Sequence, residues 1–442
     1  MRHALFAVLA ASLLAVPPLS AQTGRGSLDR EIDALVAQVN PKVVAWRRDI
    51  HEHPELGNRE FRTAALVAEH LRRLGIEVRT EVAHTGVVGV LRGGRPGPTV
   101  ALRADMDALP VTEMVDLPFA SRVRTEYNGQ EVGVMHACGH DNHVAILMGA
   151  AEVLASMRDQ LPGTVLFLFQ PAEEGPPAGE DGGAGMMLKE GVFADPRPDA
   201  IFGLHVWPSA VGTLSYRPEG AMAASEGLYI KVVGRQTHGA LPWGGVDPIV
   251  TASQVVLGLQ TIISRQSDLT KAPAVITIGS INGGVRGNII PDSVLMVGTI
   301  RTFDDGMRTE IHDRIRRTAE QIAGAAGAEA VVRISSGAAP VTWNDPDLTR
   351  WAVPTLEGAA GADAVSVGLP ITGAEDFSLY QKEVPGLFFF LGGNPEGRTP
   401  YPNHSPLFYV DEGALPVGVR AMAGLAVDYL LDHAGAGSVS QP

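Results

Sequence analysis

The sequence predicts an α/β protein of two domains, in which a ferredoxin-like domain is inserted into a larger α/β domain. Three observations support this fold class. The chain has 442 residues, which is too long for one compact core. Predicted helices alternate with short apolar strands along most of the sequence, as they do in α/β domains. Between residues 221 and 335 the predicted elements follow the order βαββαβ, which is that of a ferredoxin-like domain.

The N-terminal residues have the pattern of a secretory signal peptide. A basic start at Arg2 is followed by an apolar run from Ala4 to Pro17 and by the small residue Ala21. The apolar run is too short for a membrane-spanning helix. We therefore expect residues 1–21 to be removed on export and the mature protein to be periplasmic or secreted, with no membrane segment.

The first part of the larger domain, residues 22–220, is predicted to begin with helices and to continue with alternating strands and helices. Apolar residues three or four positions apart indicate helix between Leu28 and Gly75. The run 163–169 is apolar at every position, which is typical of a strand covered by helices on both sides of a sheet. Further predicted elements are strands at 87–91, 99–103 and 200–206 and a helix at 144–157.

The inserted domain, residues 221–335, is defined by its order of elements. A four-stranded sheet with an open edge would also allow two copies to pair and form a dimer. Residues 336–442 return to the larger domain, with a predicted strand at 386–392 and a helix at 412–433. Within the insertion we predict strands at 228–233, 274–279, 293–300 and 328–334 and helices at 248–264 and 307–325.

The composition excludes some classes of function. The chain is 45% hydrophobic and 19% charged, as in an ordinary soluble enzyme, and its formal net charge is −14. Proteins that bind nucleic acid need basic patches to replace the counterions of the phosphates. No basic run is present in the sequence, so we expect no nucleic-acid partner.

The only cysteine, Cys138, lies in the motif MHACGHDNH at residues 135–143. A thiolate and imidazoles are ligands that suit zinc, cobalt or nickel. A single cysteine cannot form an internal disulfide, so an exported chain is expected to keep this thiol buried or bound to a metal. The alternative is a buried structural cysteine beside unrelated histidines.

Other polar side chains follow the ends of predicted strands. Glu173 and Glu174 follow the strand at 163–169, His205 lies at the end of the strand at 200–206, and His404 follows the strand at 386–392. Ligands of open α/β sheets bind beyond the carboxyl ends of the strands. Each of these residues alone is more often a solvated carboxylate or a structural histidine. Together with Cys138 they predict a metal site.

Five motifs occur in this chain in the order MHACGHD (135–141), QPAEEG (170–175), LHV (204–206), GAEDF (373–377) and NH (403–404). They resemble the motifs of the M20 metallopeptidase family in its amidohydrolase branch. That branch includes N-acyl-amino-acid amidohydrolases, hippurate hydrolases and indole-acetyl-amino-acid hydrolases. The resemblance covers nearly the whole mature chain. It implies a zinc-exopeptidase-like catalytic domain, formed by residues 22–220 and 336–442, with the insertion as a lid and dimerisation domain.

The resemblance also implies a site with two divalent metal ions, which could be manganese, zinc, cobalt or nickel. Such ions polarise the scissile carbonyl and lower the pKa of a shared hydroxide toward neutrality. Glu173 is the implied general base. Cys138 is the expected bridge between the ions, although the sequence leaves open which ligand bridges. The implied metal ligands are Cys138, His140, Glu174, His205 and His404.

Five further residues receive roles from the resemblance. His238, in the segment GRQTHGALP, is expected to reach the active site of a partner subunit and to stabilise the oxyanion. Asn288 and Arg286 are expected to hold the carboxylate of the substrate, and Gly373 is expected to contact the substrate. Asp105 follows a strand end and is expected to orient a ligand histidine. A helix cap or turn is the alternative role for Asp105.

We therefore expect an exported, metal-dependent amidohydrolase, most simply a homodimer. It would cleave N-acyl amino acids, with aryl or alkyl acyl groups, into a carboxylic acid and a free amino acid. The acyl group is expected to lie between the two domains. One alternative is an exported metallo-exopeptidase or dipeptidase. Others are a cysteine hydrolase that uses Cys138 as its nucleophile and a non-catalytic protein that binds conjugates. A zinc deaminase would need further cysteines that the chain lacks.

Overall fold

The computed structural model describes residues 19–335 and 339–435. The predicted signal peptide lies outside the described residues except for residues 19–21, which begin the first helix, so export stays a prediction. The domain boundaries after residues 220 and 335 also stay predictions, and residues 336–338 lie outside the described part of the chain.

The larger domain begins with the predicted helices and strands, whose ends shift by a few residues. The short strands β4 and β5 were not predicted, because they are charged and exposed and have no apolar alternation. The elements up to residue 222 are α1 (Leu19–Glu52), α2 (Phe61–Arg73), β1 (Glu77–Val82), β2 (Gly86–Arg92), β3 (Arg95–Asp105), β4 (Arg124–Tyr127), β5 (Gln130–Gly133), α3 (His140–Ser156), β6 (Pro162–Gln170), α4 (Gly183–Lys189), β7 (Ala200–Ala210), β8 (Leu214–Tyr216) and β9 (Glu219–Met222).

The inserted segment contains all the predicted elements of the βαββαβ order. Asp247 begins its first helix, because the carboxylate accepts the backbone N–H groups of Ile249 and Val250 and Pro248 occupies the first turn. The elements are β10 (Ala224–Val233), β11 (Thr237–His238), α5 (Pro248–Thr261), β12 (Ala274–Asn282), β13 (Ile289–Ile290), β14 (Ser293–Thr302), α6 (Asp305–Ala325) and β15 (Glu329–Ile334).

The chain then returns to the larger domain. An unpredicted helix starts at Pro346, where the side chain of Asp345 accepts two backbone N–H groups of the first turn. The final helix is long and apolar enough to cross a membrane by composition, but most of it is buried among the other elements, as in a core helix. The elements are β16 (Thr342–Asn344), α7 (Pro346–Ala360), β17 (Val365–Val367), α8 (Phe377–Tyr380), β18 (Gly386–Asn394) and α9 (Leu415–Asp432).

An eight-stranded sheet forms the centre of the larger domain, in the order β1-β2-β6-β3-β7-β18-β8-β17. Its middle strands β6, β3, β7 and β18 run parallel to one another. Most of their residues are buried, because α3 and α9 cover one face, with α1 packed on these helices, and the smaller helices α4 and α8 cover the other. The carboxyl ends of these four strands therefore meet along one edge of the sheet.

The inserted segment folds around its own core. Its four-stranded antiparallel sheet has the order β12-β14-β10-β15, which is the strand order of a ferredoxin-like fold. Helices α5 and α6 cover one face and enclose an apolar cluster that includes Ile230, Val255 and Met296. We call this segment the lid domain. The fold class predicted from the sequence is confirmed.

A buried ion cluster ties β10 to α6 in the lid domain. The Glu226 carboxylate accepts hydrogen bonds from Arg308 at 2.7 Å and from His312 at 2.5 Å. These partners hold the pKa of Glu226 below its ordinary value of 4.5, against the effect of burial, which raises it. Ionised Glu226 therefore stabilises the fold above pH 4.5, and this contribution is lost as the pH falls through the lowered pKa.

We expect Glu226→Gln to lower the free energy of unfolding by about 2 kcal/mol at pH 7, because hydrogen bonds between charged groups are lost from a buried position. The difference from the wild type should shrink as the pH falls from 5 toward 3. Chemical denaturation of the apoprotein at several pH values measures both effects. The exposed Glu320 of the same helix provides the control variant Glu320→Gln. A difference that does not change with pH would contradict the electrostatic role of Glu226.

Candidate metal centre

The predicted ligands come together at the carboxyl edge of the parallel strands. Glu173 and Glu174 lie on the turn after β6, and His205 lies in the second half of β7. His140 is the first residue of α3, and His404 lies in the loop after β18. Residues that are up to 266 positions apart in the sequence thus meet because four strands end at the same edge.

Two groups of donor atoms share Cys138. Cys138, His140 and His205 are all buried and place one donor atom each within 4.8 Å of the others. Cys138, Glu174 and His404 form a second group, whose donor atoms also lie within 4.8 Å of one another. Within these groups the Cys138 Sγ lies 3.3 Å from His205 Nε2, and His404 Nε2 lies 2.9 Å from Glu174 Oε1. Cys138 is thus placed where a ligand common to two ions would lie.

The backbone around Cys138 leaves little room for variation. Gly139 has a φ of 94°, and a side chain at this position would meet the Val206 Cγ2 atom at 2.2 Å. The Asn403 side chain donates to the Cys138 carbonyl at 3.1 Å and so links the loop of His404 to the loop of the thiol. These contacts fix the distance between Cys138 and its neighbours before any ligand binds.

Two buried carboxylates hold the turn that carries Glu173 and Glu174. Asp107 accepts the backbone N–H of Glu173 on one oxygen and that of Glu174 on the other, both at 3.0 Å. Glu60 accepts the N–H of Ala172 at 2.9 Å, where the backbone has a φ of 50°. Such a strained conformation persists only when surrounding contacts support it. Neither carboxylate was predicted as a site residue, because neither belongs to a metal-ligand spacing.

The donor set fits divalent metal ions. His140 donates from Nδ1 to the carbonyl of Asp107 at 2.8 Å, which turns its Nε2 toward the cluster. That Nε2 is buried and has no hydrogen-bond partner among the described residues. His205 similarly contacts the Val206 carbonyl through Nδ1, at 2.7 Å. Second contacts of this kind orient metal-bound imidazoles in proteins. A buried imidazole nitrogen without a partner is costly unless a ligand occupies it.

The pKa shifts within the cluster bear on how its side chains could bind a cation. Burial raises the pKa of the Cys138 thiol well above its ordinary value, and the carboxylates of Glu174 and Glu173 raise it further. Burial lowers the pKa of His205 well below its ordinary value, and the neighbouring His143 adds to that effect. The imidazole of His205 is therefore neutral, as a metal ligand must be. A thiolate at Cys138 needs a bound cation to compensate its charge.

Glu173 also belongs to a second group of side chains, which consists of carboxyl groups only. Glu173, Glu375 and Asp376 each place an oxygen within 4.8 Å of the others. Burial raises the pKa of Glu173 well above its ordinary value, and the charges of Glu375, Glu174 and Asp376 raise it further. Arg103 opposes this shift. Glu173 is thus a carboxyl group that takes up a proton readily in this environment.

Arg103 is the counter-charge of this group, and the sequence analysis missed it. Its guanidinium is fully buried and donates to Asp105 at 2.6 Å, to Glu375 at 2.9 Å and to Asp376 at 3.0 Å. Gln170 accepts from Arg103 and donates to Asp376. The signal in the sequence was an arginine inside an apolar strand and two acidic residues in the GAEDF motif. Their proximity was not readable, because Arg103 and Glu375 are 272 residues apart.

Asp105 makes its shortest histidine contact with His143. The distance from Asp105 Oδ1 to His143 Nδ1 is 2.5 Å, whereas the closest approach to His140 Nε2 is 3.7 Å. His143 also accepts the Val206 N–H on its Nε2 at 2.8 Å. Both nitrogens of His143 are therefore in use, and His143 supports the backbone beside His205. Asp105 therefore contacts His143 and, through it, supports the backbone beside His205.

A cleft of about 560 Å³ opens beside the cluster, between the larger domain and the lid domain. Gly373 lines it, together with Glu173 and four of the predicted metal ligands, which are Cys138, Glu174, His205 and His404. Arg301 lines it from β14 of the lid domain, next to its cross-strand neighbour Ser225. Arg301 was not predicted as a site residue. It is the one arginine or lysine among the described residues that line this cleft.

The remaining predicted residues lie elsewhere in the lid domain. His238 is exposed on β11, and Arg286 and Asn288 lie in the exposed segment before β13. The N–H of Gly239 donates to the Asn288 carbonyl at 2.8 Å, so His238 and Asn288 are neighbours. None of the three lines the cleft of its own chain within the described residues. Their predicted roles in the site remain untested.

The parallel sheet, the clustered donors and the buried carboxylate define a metal-dependent hydrolase of the α/β class. Residues 101–428 match the peptidase family M20/M25/M40. The chain belongs to this family.

Two relatives and one solved structure describe the similarity. The chain is 42% identical over 399 residues to Thermostable carboxypeptidase 2 of Saccharolobus solfataricus, covering 89% of this chain and 97% of that protein. It is 38% identical over 409 residues to IAA-amino acid hydrolase ILR1-like 2 of Arabidopsis thaliana, covering 91% and 89%. The crystal structure of Bacillus subtilis YXEP, a dinuclear metal-binding peptidase of the M20 family, superposes with a TM-score of 0.74 at 36% identity, covering 89% and 99%. The predicted family and the prediction of a metal-dependent amidohydrolase or peptidase are confirmed.

Proposed function

We propose that the protein hydrolyses the amide bond of N-acyl amino acids and releases a carboxylic acid and a free amino acid. The observation that supports this most directly is the cleft, which is lined at once by the metal-capable cluster, by Glu173 and by Arg301. An amide whose amino-acid half ends in a carboxylate fits these groups. The names of an IAA-amino acid hydrolase and an N-acetyl-L-cysteine deacetylase among the relatives support the same substrate class.

The chemistry follows from the side chains of the cleft. Two divalent ions would polarise the scissile carbonyl and make a water molecule more acidic. Glu173 takes the proton from that water and later gives it to the nitrogen of the leaving amine. Its crowded, buried surroundings favour proton uptake, as this role requires. The residues that would hold the ions are Cys138, His140, Glu174, His205 and His404.

A peptidase is the second candidate, because the relatives include a carboxypeptidase at 42% identity. A dipeptide and an N-acyl amino acid both end in a free carboxylate, so a contact with Arg301 would not distinguish one substrate class from the other. The deciding experiment is a substrate panel measured on metal-loaded and chelator-treated protein. N-acetyl, N-benzoyl and indole-acetyl amino acids should be cleaved faster than dipeptides, and chelation should abolish cleavage. Preferential cleavage of dipeptides would favour the peptidase.

We expect Arg301→Gln to raise KM for an N-acyl amino acid about 100-fold, because a charge-assisted contact with a carboxylate contributes up to about 3 kcal/mol. Burial leaves the guanidinium less hydrated and so strengthens this contact. The test compares the substrate with its carboxamide, which has no charge to anchor. Wild-type protein should discriminate strongly between the two, and Arg301→Gln should not. Equal discrimination by both proteins would remove Arg301 from substrate binding. Arg333→Gln, an exposed arginine of the same sheet, is the matched control.

We also propose that two chains pair through the lid domain and that His238 completes the partner's site. The lid domain carries the open edge strand β12. Trp243, Leu257 and Val285 lie on its surface, exposed by 80%, 70% and 96%. Apolar residues of this size at a monomer surface favour association. His238 lies outside the cleft of its own chain, which a role in the other subunit would explain.

Complementation tests this arrangement. We expect Glu173→Gln and His238→Ala to be inactive alone, whereas a mixture of the two, allowed to exchange subunits, should regain up to about a quarter of the wild-type activity. Half of the randomly formed dimers would be mixed, and each would contain one site with both wild-type groups. Sedimentation of the mixture confirms the dimer. An inactive mixture of proven heterodimers would contradict a role for His238 across the interface.

A further inference from the structure

A second cavity, of about 450 Å³, adjoins the metal ligands. It is enclosed by the loop between α1 and α2, the loop after β3, the β4–β5 hairpin and the turn after β6, and we call it the hairpin pocket. Glu174 lines both the hairpin pocket and the cleft. No residue of the lid domain lines the hairpin pocket within the described part of the chain. The two cavities therefore meet at a metal ligand and are otherwise separate.

The geometry of an amide requires two such spaces. A trans amide is planar, and its two substituents extend in opposite directions from the C–N bond. If the carbonyl lies at the metal-ligand cluster and the amino-acid half extends toward Arg301, the acyl half must extend elsewhere. The hairpin pocket is suited to this half of the substrate. It shares the predicted metal ligand Glu174 with the cleft, but none of the described residues around Arg301 line it.

Apolar side chains form about half of the wall of the hairpin pocket. Small and medium apolar side chains contribute from each enclosing segment, and Tyr127 of the hairpin is 39% exposed. An exposed tyrosine on a short two-stranded hairpin is not needed for folding of the core. Pockets of this size accommodate small ligands. The apolar walls include Leu56, Leu109, Pro110, Val123 and Val134.

Most charges on the pocket wall are already neutralised. The Glu55 carboxylate accepts the N–H groups of Arg62 and Thr63, both at 2.9 Å. Arg59 pairs with Glu180. A further wall residue, Arg124, pairs with Glu131.

The exception is Glu126, which has no ion-pair partner among the described residues and lies directly opposite Glu131 across the hairpin. A negative charge thus remains at the rim of the pocket, where it repels anions.

We propose that the hairpin pocket binds the acyl group of the substrate and selects uncharged acyl groups over anionic ones. This inference rests on the proposed amidohydrolase function and places the acyl group within the larger domain, rather than between the domains as the sequence analysis expected. It assigns specificity to the exposed hairpin β4–β5, whose residues can be exchanged without disturbing the metal ligands.

The test uses the N-acetyl, N-benzoyl and N-succinyl derivatives of one amino acid. Thr125→Trp fills the pocket, so it should lower kcat/KM for the benzoyl substrate by about tenfold or more and leave the acetyl substrate within about twofold. Glu126→Lys should raise kcat/KM for the succinyl substrate about threefold or more relative to the benzoyl substrate, as expected for an exposed charge pair. Both positions are exposed, so folding is preserved.

Matched control variants are Thr309→Trp and Glu310→Lys, at exposed positions of α6 that line neither cavity. The controls should keep the wild-type ratios of the three substrates. If Thr125→Trp and Glu126→Lys also keep those ratios, the acyl group does not occupy the hairpin pocket. If the wild-type protein cleaves none of the derivatives, the proposed function fails and the assignment of the pocket fails with it. Turnover of the derivatives by wild-type protein therefore distinguishes a wrong assignment of the pocket from a wrong proposed function.

Discussion

Glu173→Gln is expected to lower kcat by about 10²–10⁴-fold while the protein keeps its metal ions. Glutamine has the shape of glutamate but cannot accept the proton of the attacking water. The apoprotein should be as stable as the wild type or more stable, because the substitution removes one of three crowded carboxylates from a buried site. Single-turnover kinetics, metal analysis and thermal unfolding of the apoprotein measure the three effects separately.

The combination of these results identifies the role of Glu173. Loss of activity together with loss of metal would make Glu173 a ligand instead of a base. Normal turnover would show that another group accepts the proton. The exposed Glu69 on α2 provides the control variant Glu69→Gln, which removes a charge from the surface and should change neither kcat nor metal content.

Cys138→Ser is expected to lose metal and activity together. A serine hydroxyl is a poor ligand for the ions that a thiolate and imidazoles prefer. Loss of a group that only supports a ligand already lowers metal affinity 10–100-fold, so loss of the ligand shared by both donor groups should lower it by more than about 100-fold. Metal content after dialysis against a weak chelator, with activity measured in the same samples, gives the result.

Thermal unfolding provides the control for Cys138→Ser. Because serine and cysteine have nearly the same size, the variant and the chelated wild-type protein should unfold at similar temperatures. The metal-loaded wild type should unfold at a higher temperature, since ions that bind only the folded state stabilise it. A fully metallated and active serine variant would mean that Cys138 is a structural thiol.

The two predictions together separate catalysis from metal binding in one small site. Glu173 and Cys138 both line the same cleft, yet one is expected to act on the water and the other on the ions. A single property, such as thermal stability, would not distinguish them. Metal content and turnover change together for Cys138 and separately for Glu173.

Much of the fold was readable from local patterns. The all-apolar run at 163–169 predicted a central strand, and β6 is buried at nearly every position. The order of elements in the insertion predicted a ferredoxin-like sheet, and the strands pair in the order β12-β14-β10-β15 of that fold. Short exposed elements such as β4 and β5 carry charged residues and no alternation. Their pairing comes from a turn and from cross-strand contacts, for which local patterns contain no comparable signal.

The fold class, the family and the set of candidate metal donors could be predicted from the chain alone, because each is encoded in short motifs or in local periodicity. Which distant groups surround those donors became visible only in the folded protein. The buried ion group of Arg103 and Glu375, the support of the Glu173 turn by Asp107, and the place of Arg301 in the cleft all depend on residues far apart in the chain. Electrostatic and hydrogen-bond interactions depend on distance in space, and the sheet and the lid domain set those distances.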